Sequence, residues 1–370
     1  MENILTNVLL STGFLVVAGV FLSGLLVIAE KKILNFGPCT IDINNGEKKL
    51  QVNGGGSLLS ALARESIFIP SACGGRGSCA YCKVIVRDGG GNVSPVEEPY
   101  FSAEERKNGT RLSCQVKVRN DIRIEIPKEY FSVKKYRGRC ISKRQLTHDI
   151  YELRIGLLEP KEIEFTAGQY VQLESKEYKG RESVIRAYSI SSLPSDKKQV
   201  ELIIRRVPNG ICTTWVFDYL KEGQEIALSG PYGEFRLQPT EAPVLFIAGG
   251  SGMAPIWSML RDMREKGINR QAHYFFGALT QNDLFFLDEM KQLEKELPNF
   301  RFVPALSKEP DESDWTGERG IITEVVKKHI PDTSDHEAYL CGSPGMIDAC
   351  IKALTGNGMK AEKIYYDKFA

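Results

Sequence analysis

Four cysteines in this chain are spaced so that their thiols can meet. Cys73, Cys79 and Cys82 lie on one glycine-rich stretch, S-A-C-G-G-R-G-S-C-A-Y-C, and Cys114 follows much later in R-L-S-C-Q. Four thiolates converging on one small volume are the ligand set that a pair of bridged irons needs, and such a pair moves electrons one at a time. Three ligands can come from a loop that wraps the irons, and the fourth must come from elsewhere in the fold. Gly74, Gly75 and Gly77 let the backbone turn inward and leave amide N–H groups free to face sulfur.

The pattern reads C-x5-C-x2-C with a remote partner. Plant-type 2Fe-2S proteins have one residue fewer in the first gap. A disulfide framework is the competing reading, but the rest of the chain reads as cytosolic. Zinc sites usually pair two short C-x2-C knuckles, and here there is one. The remaining cysteines are Cys39, Cys140, Cys212, Cys341 and Cys350, an odd number without regular spacing, which points to a reducing compartment. Cys39, Cys140 and Cys350 read as buried apolar residues.

Two further constellations could hold nucleotides. Arg186-Ala187-Tyr188-Ser189 is followed about twenty residues on by Gly210-Ile211-Cys212-Thr213. A planar flavin needs an aromatic face and a donor near its reactive nitrogen, which Tyr188 and Ser189 can supply. Its pyrophosphate needs a cation and a helix N-terminus, which Arg186 and the Gly210–Thr213 amides can supply. Farther on, Gly249-Gly250-Ser251-Gly252-Met253-Ala254-Pro255 follows an apolar run and opens a helix, where backbone amides can hold a phosphate. This is not G-x-G-x-x-G. A second turn, Cys341-Gly342-Ser343-Pro344, follows the last apolar run, and two such turns frame a crevice.

The elements that must position these residues fall into four segments: an anchor over 1–32, a cysteine domain over 33–130, a barrel over 131–240 and an α/β domain over 241–370. In the second, a hairpin turns at Asn45-Gly46 and a helix starts at the cap Ser57, before the cysteine loop and a strand from Cys82. Two hairpin strands, a helix and a cluster loop suit a small β-grasp fold. The third shows short alternating strands (Y-E-L-R-I, Q-Y-V-Q-L, V-E-L-I-I-R-R, E-I-A-L-S), the pattern of an antiparallel barrel. R-A-Y-S lies between its strands, and a helix is inserted at 214–221. In the fourth, V-L-F-I-A is continuously apolar, as in a buried parallel sheet, and strands and helices then alternate, implying a doubly wound sheet. The terminal Y-Y-D-K-F-A reads as a packed last strand.

No residue from Asn3 to Ala29 is charged. As a helix that run spans about 40 Å, more than the roughly 30 Å hydrocarbon core of a bilayer. A secretory signal should begin with a basic region and have a shorter apolar core, so the run reads as an uncleaved single-pass anchor. Lys31 and Lys32 follow, favouring the soluble part on the cytoplasmic side of an inner membrane. The net charge of +1 gives no nucleic-acid surface. The four histidines show no ligand spacing and read as structural or surface residues.

Together these motifs resemble the ferredoxin–NADP reductase superfamily, and within it the family of F subunits of sodium-translocating NADH:quinone reductases. The resemblance covers the whole chain. It implies a 2Fe-2S cluster on Cys73, Cys79, Cys82 and Cys114, and FAD on Arg186, Tyr188 and Ser189 with the Gly210–Thr213 turn. It implies NADH at Gly250, Ser251, Gly252, Met253, Cys341 and Gly342. Ser189 would bond flavin N5, Cys341 and Asp367 would position the nicotinamide, and Phe369 would cover the flavin until displaced. Electrons would pass from NADH to FAD, then singly through the cluster to other membrane subunits and indirectly to quinone. Two departures stand out. The stretch before R-A-Y-S is short, and G-A-L-T-Q-N-D lacks the basic residue usual there, which favours NADH over NADPH. The reductase component of a multicomponent oxygenase, or a membrane-docked electron-transfer adaptor, would share the same modules.

Overall fold

The computed structural model describes residues 12–24, 36–71 and 73–369. They form two compact units: Met1–Ile69 with Gly75–Phe131, and Pro70–Gly74 with Ser132–Ala370.

The first unit begins with helix α1 over residues 12–24. Among the described residues no helix is long and apolar enough to cross a membrane. The rest of the expected anchor, 1–11 and 25–32, lies outside the described residues. The hairpin forms as its sequence demands. β1 (Pro38–Ile43) and β2 (Lys48–Asn53) pair antiparallel. Asn44, Asn45 and Gly46 between them take positive φ values of 52°, 56° and 92°, which Asn and Gly tolerate best. Ser57 caps α2 (Leu58–Arg64) by accepting a hydrogen bond from the Ser60 amide at 3.2 Å. β3 (Lys83–Asp88), the short helix α3 (Ala103–Lys107), β4 (Thr110–Leu112) and β5 (Ile122–Glu125) complete the unit. The sheet order is β2-β1-β5-β3-β4, with β1 and β5 parallel and the other pairs antiparallel. Ile41, Ile43, Leu58, Leu62 and Leu112 fill its core.

A buried ion pair sits beside β4. Arg111 donates to both carboxylate oxygens of Glu97, at 3.0 and 2.8 Å, and to the carbonyls of Gly90, Gly91 and Asn92. Glu97 also accepts from the Leu112 amide at 2.9 Å. Burial alone would push the Glu97 carboxyl up, but Arg111 and the amides of Ser94 and Leu112 outweigh it and hold the group below its usual range. Glu97→Ala would strand a buried guanidinium and is expected to cost about 3–5 kcal/mol, read as a fall in the denaturation midpoint.

The second unit opens with six antiparallel strands: β6 (Lys134–Gln145), β7 (Ile150–Glu159), β8 (Tyr170–Glu174), β9 (Ile185–Ser189), β10 (Gln199–Arg205) and β11 (Glu225–Tyr232). Their order is β10-β7-β6-β11-β8-β9. Ile190, just past β9, bridges Leu202 of β10 and joins the two edges into a barrel. R-A-Y-S is therefore a barrel strand, not a connection between strands. β6 escapes the sequence pattern because most of its outward positions are charged and one, Ile141, is apolar, leaving Tyr136, Gly138 and Cys140 to mark the inner face. The inserted helix starts earlier than its sequence implies: α4 (Ile211–Thr214) runs on as a π-helical turn, Trp215–Tyr219.

A six-stranded parallel sheet follows. β12 (Val244–Gly249), α5 (Met253–Glu265), β13 (Ala272–Ala278), α6 (Leu287–Glu296), β14 (Phe300–Leu306), β15 (Glu318–Arg319), α7 (Ile322–His329), β16 (Glu337–Gly342), α8 (Pro344–Gly356) and β17 (Ile364–Lys368) alternate along the chain. The strand order β15-β14-β13-β12-β16-β17 reverses direction beside β12. The carboxyl ends of β12 and β16 thus border the crevice where such sheets bind ligands. Phe246, Tyr274, Phe276 and Tyr339 pack the core on one face of the sheet.

Candidate functional site

Three of the four predicted cluster ligands, Cys79, Cys82 and Cys114, belong to the first unit, while Cys73 lies on Pro70–Gly74, which groups with the second. Cys82 and Cys114 are buried, 1% and 7% exposed, and their thiols are hydrogen-bonded to each other. That contact, reinforced by burial, raises the Cys82 thiol far above its ordinary range. Two buried thiols that cannot both ionise alone are a natural seat for cationic iron, which stabilises thiolate. Gln115 donates toward the Cys114 sulfur at 3.4 Å. Gly77 takes φ 79°, and a side-chain carbon there would meet Gln115 Nε2 at 2.8 Å. The loop thus needs glycine where the sequence has it. Among the described residues, no set of three or more metal-ligating side chains is gathered in one place. The structure brings Cys82 and Cys114 together and places Cys79 on the adjoining loop.

On the barrel, β9 pairs with β8 so that Arg186 faces Leu173, Tyr188 faces Val171 and Ser189 faces Tyr170. Alternation puts Arg186 and Tyr188 on one face and Ser189 on the other. The Tyr188 hydroxyl and Cys212 thiol are hydrogen-bonded. Burial raises the phenol well above its usual range and the thiol to about 11, so both are neutral near pH 7. The Arg186 charge reaches Cys212 and partly offsets that rise. A cation thus adjoins the start of α4, whose first amides have no partner within the helix. A side-chain carbon on Gly210 would meet Thr213 Oγ1 at 2.6 Å and the Val207 carbonyl at 3.1 Å, so the turn is packed too tightly here for any residue but glycine. Thr213 is turned to its own loop, accepting from the Val207 amide at 3.2 Å. These residues fit a flavin with a pyrophosphate tail.

Ser189, Asp367 and Cys341 come together from three strands. Ser189 Oγ donates to Asp367 Oδ2 at 3.4 Å, and Cys341 is paired across the ladder with Asp367. Burial pushes the Asp367 carboxyl up to about 6, partly countered by the Ser189 bond. The fully buried Cys341 thiol is raised by burial and by Asp367. Next to them the Phe369 amide donates to the Gly342 carbonyl at 3.0 Å, and its ring packs on the core beneath. Asp367 starts at 3.8 and is raised by folding, so the folded chain binds this proton more tightly than the unfolded chain. Its contribution is therefore most favourable below about pH 4 and is lost as pH rises toward 6, by about 2 kcal/mol between pH 4.5 and 7. Melts of Asp367→Asn at those two pH values are expected to lack that increment.

At the crevice, Gly250 takes φ 55° and is a cavity-lining residue, while Ser251 and Met253 are buried. A side-chain carbon on Gly252 would overlap the Cys341 carbonyl, so the turn and the end of β16 touch through backbone alone. A cavity of about 450 Å³ opens here, lined by Gly249, Gly250, Gly277 and Ser343 and, from the barrel, by Asp149 and Arg205. Sequence reasoning missed the last two. They are joined by a 2.6 Å ion pair; the sequence offered a signal only for Arg205, one of the two arginines that end V-E-L-I-I-R-R. Asp283, in the segment that lacks a basic residue, also lines the cavity and accepts from Thr280 at 2.9 and 3.0 Å.

Comparison with known proteins finds three cofactor-binding domain families along the chain. The 2Fe-2S iron-sulfur cluster binding domain family matches residues 41–119, the oxidoreductase FAD-binding domain family 137–237, and the oxidoreductase NAD-binding domain family 246–352. The F subunit of the Na(+)-translocating NADH-quinone reductase of Pseudomonas aeruginosa is 38% identical over 403 aligned positions, covering 98% of each chain. The protein of the same name in Neisseria meningitidis serogroup B is 38% identical over 93% of this chain and 95% of its own. Among solved structures, the Amycolatopsis cytochrome P450 reductase GcoB superposes with a TM-score of 0.74 at 29% identity, covering 90% of this chain and 98% of its own. The ferredoxin reductase in carbazole 1,9a-dioxygenase does so at 0.70 and 26%, covering 90% and 99%. With three matched cofactor domains and relatives aligned along nearly its whole length, the chain belongs to the family of F subunits of Na(+)-translocating NADH-quinone reductases.

Proposed function

We propose that this chain is the electron-input subunit of a sodium-translocating NADH:quinone reductase, taking electrons from NADH on behalf of membrane partner subunits and, through them, quinone. The observation that carries this reading is the meeting of Ser189, Asp367 and Cys341 at the mouth of the β12–β16 crevice. When bound, FAD turns a two-electron input into one-electron outputs, and the 2Fe-2S cluster carries single electrons. Arg186 and the start of α4 hold the flavin's pyrophosphate, and Tyr188 gives its ring an aromatic face. Ser189 offers a hydroxyl to the flavin edge. Gly250, Ser251, Gly252 and Met253 seat the NADH phosphates, Gly342 gives the nicotinamide room, and Cys341 and Asp367 orient it. Phe369 covers the flavin side and excludes water until the nicotinamide enters. Cys73, Cys79, Cys82 and Cys114 hold the irons. Asp283, in a segment without Arg or Lys, suits a free ribose diol better than a phosphate, which favours NADH over NADPH.

The four segments 1–32, 33–130, 131–240 and 241–370 serve as anchor, cluster, flavin and NADH modules, with the soluble part on the cytoplasmic face of the inner membrane. An oxygenase-type reductase is the second reading, favoured by the two solved structures named above. The full chain, reconstituted with FAD, iron and sulfide, is to be assayed beside a form lacking residues 1–33. NADH oxidation with an artificial acceptor is expected in both, and quinone reduction in membranes only with the full chain. Full activity of the shortened form with a soluble protein acceptor would favour the oxygenase-type reading.

A further inference from the structure

Helix α5 does two things at once. Its amino end is the glycine turn at Gly252–Met253, and its third turn grips the barrel. Arg261 donates through Nη2 to the Ser191 carbonyl and, at 2.8 Å, to Glu201 Oε2. Ser258 Oγ donates to the Ser192 carbonyl at 2.7 Å. Their barrel side is buried, with Ser191, Ser192 and Ser258 0–1% exposed and Glu201 4%, while the Arg261 side chain keeps 18% exposure. They fall where the barrel closes, since the Ser191 amide donates to the Glu201 carbonyl at 2.8 Å and the Glu201 amide to Ser192 Oγ at 3.3 Å. A second ion pair, Arg154 to Glu201 at 3.2 Å, braces the same carboxylate from β7. The helix also lies close on the barrel: a side-chain carbon on Gly168, at φ 103°, would overlap Met259 of α5.

Ser191 and Ser192 are two and three residues past Ser189. A helix is stiff along its axis, so the clamp at 258–261 is transmitted about 12 Å to the phosphate turn. We propose that Arg261 and Ser258, acting through Glu201 and the Ser191–Ser192 backbone, are positioning residues that set the register between the nucleotide turn and the flavin-side hydroxyl of Ser189. This rests on the functional reading above, in which both ends of the clamp contact reacting molecules. Neither residue reaches the cavity itself. Their effect is on geometry, and small misplacements are costly in rate.

The test uses the full chain, reconstituted as above, in wild-type form and as Arg261→Ala, Arg261→Lys and Ser258→Ala. Hydrogen–deuterium exchange is read over residues 187–193 and 250–256, with bound FAD and the primary isotope effect on NADH oxidation. Arg261→Ala is expected to speed exchange in both segments, lower kcat about tenfold with KM little changed, and raise the isotope effect, while FAD stays bound. Arg261→Lys should recover part of this, because one ammonium can hold Ser191 or Glu201 but lacks the planar fork for both. Unchanged exchange and isotope effect in both alanine variants, with FAD retained, would overturn the proposal. Should Arg261→Ala fail to fold, Ser258→Ala decides by the same readouts. A wild-type chain whose flavin NADH does not reduce would sink the functional reading instead, and the exchange arm would still judge the clamp.

Discussion

Cys114→Ser in the full chain is expected to lose its iron while NADH still bleaches the flavin. The sulfur at 114 is buried, hydrogen-bonded to the Cys82 thiol and approached by Gln115. Serine keeps the shape but replaces a soft thiolate by a hard, poorly ionised hydroxyl, a weak ligand for a 2Fe-2S cluster. Transfer to a one-electron acceptor that draws on the cluster should fall by at least about a hundredfold, beyond the range seen when only outer-shell partners of a metal ligand are changed. Flavin reduction by NADH, resting on residues of the second unit, should change little. The checks are iron content, the low-temperature EPR signal of the reduced protein and stopped-flow bleaching of the flavin. Full iron with an unaltered signal would remove Cys114 from the ligand set.

Gly252→Ala should have the next largest effect, on NADH rather than on the cluster. The added methyl would overlap the Cys341 carbonyl, and neither partner is the free end of a flexible side chain. Either the turn or the end of β16 must shift, and both border the crevice. A loss of about 3 kcal/mol of NADH binding, roughly a hundredfold in Kd, is the expected scale. Gly345→Ala, at the second residue of α8, is the control, because nothing lies within 4 Å of its added carbon. Titrating NAD+ against FAD-loaded protein measures both variants, and equal affinities would show that the tight approach at Gly252 is irrelevant to binding.

What could be read from the residues alone depended on how local the physics was. The Asn45-Gly46 hairpin and the Ser57 cap are decided by a few adjacent residues, and both form as their sequence requires. V-L-F-I-A is buried on both faces, so an unbroken apolar run marks it as β12. β9 and β6 gave no such signal. R-A-Y-S is only half-buried along most of its length, with side chains of the kind a ligand would cover, and β6 alternates charge with single apolar residues. The cysteine spacing named a cluster, but the mutual hydrogen bond of Cys82 and Cys114 depends on how β3 and β4 pair. Asp149 with Arg205, and Arg261 with Glu201, are contacts between residues about sixty apart, set by barrel closure and helix packing. No spacing rule reaches that far.

Helix α1 has a practical consequence. Phe14, Leu15, Val16, Val17, Val20, Phe21 and Leu22 are all exposed, at 59–74%, and they occupy every side of the helix rather than one stripe. Extracted into plain buffer, such a rod has no wet face to turn outward and should draw several copies into micelle-like clusters. Mild detergent should return the material to single particles in light scattering, and a preparation that stays monodisperse without detergent would mean that other parts of the chain shield those side chains.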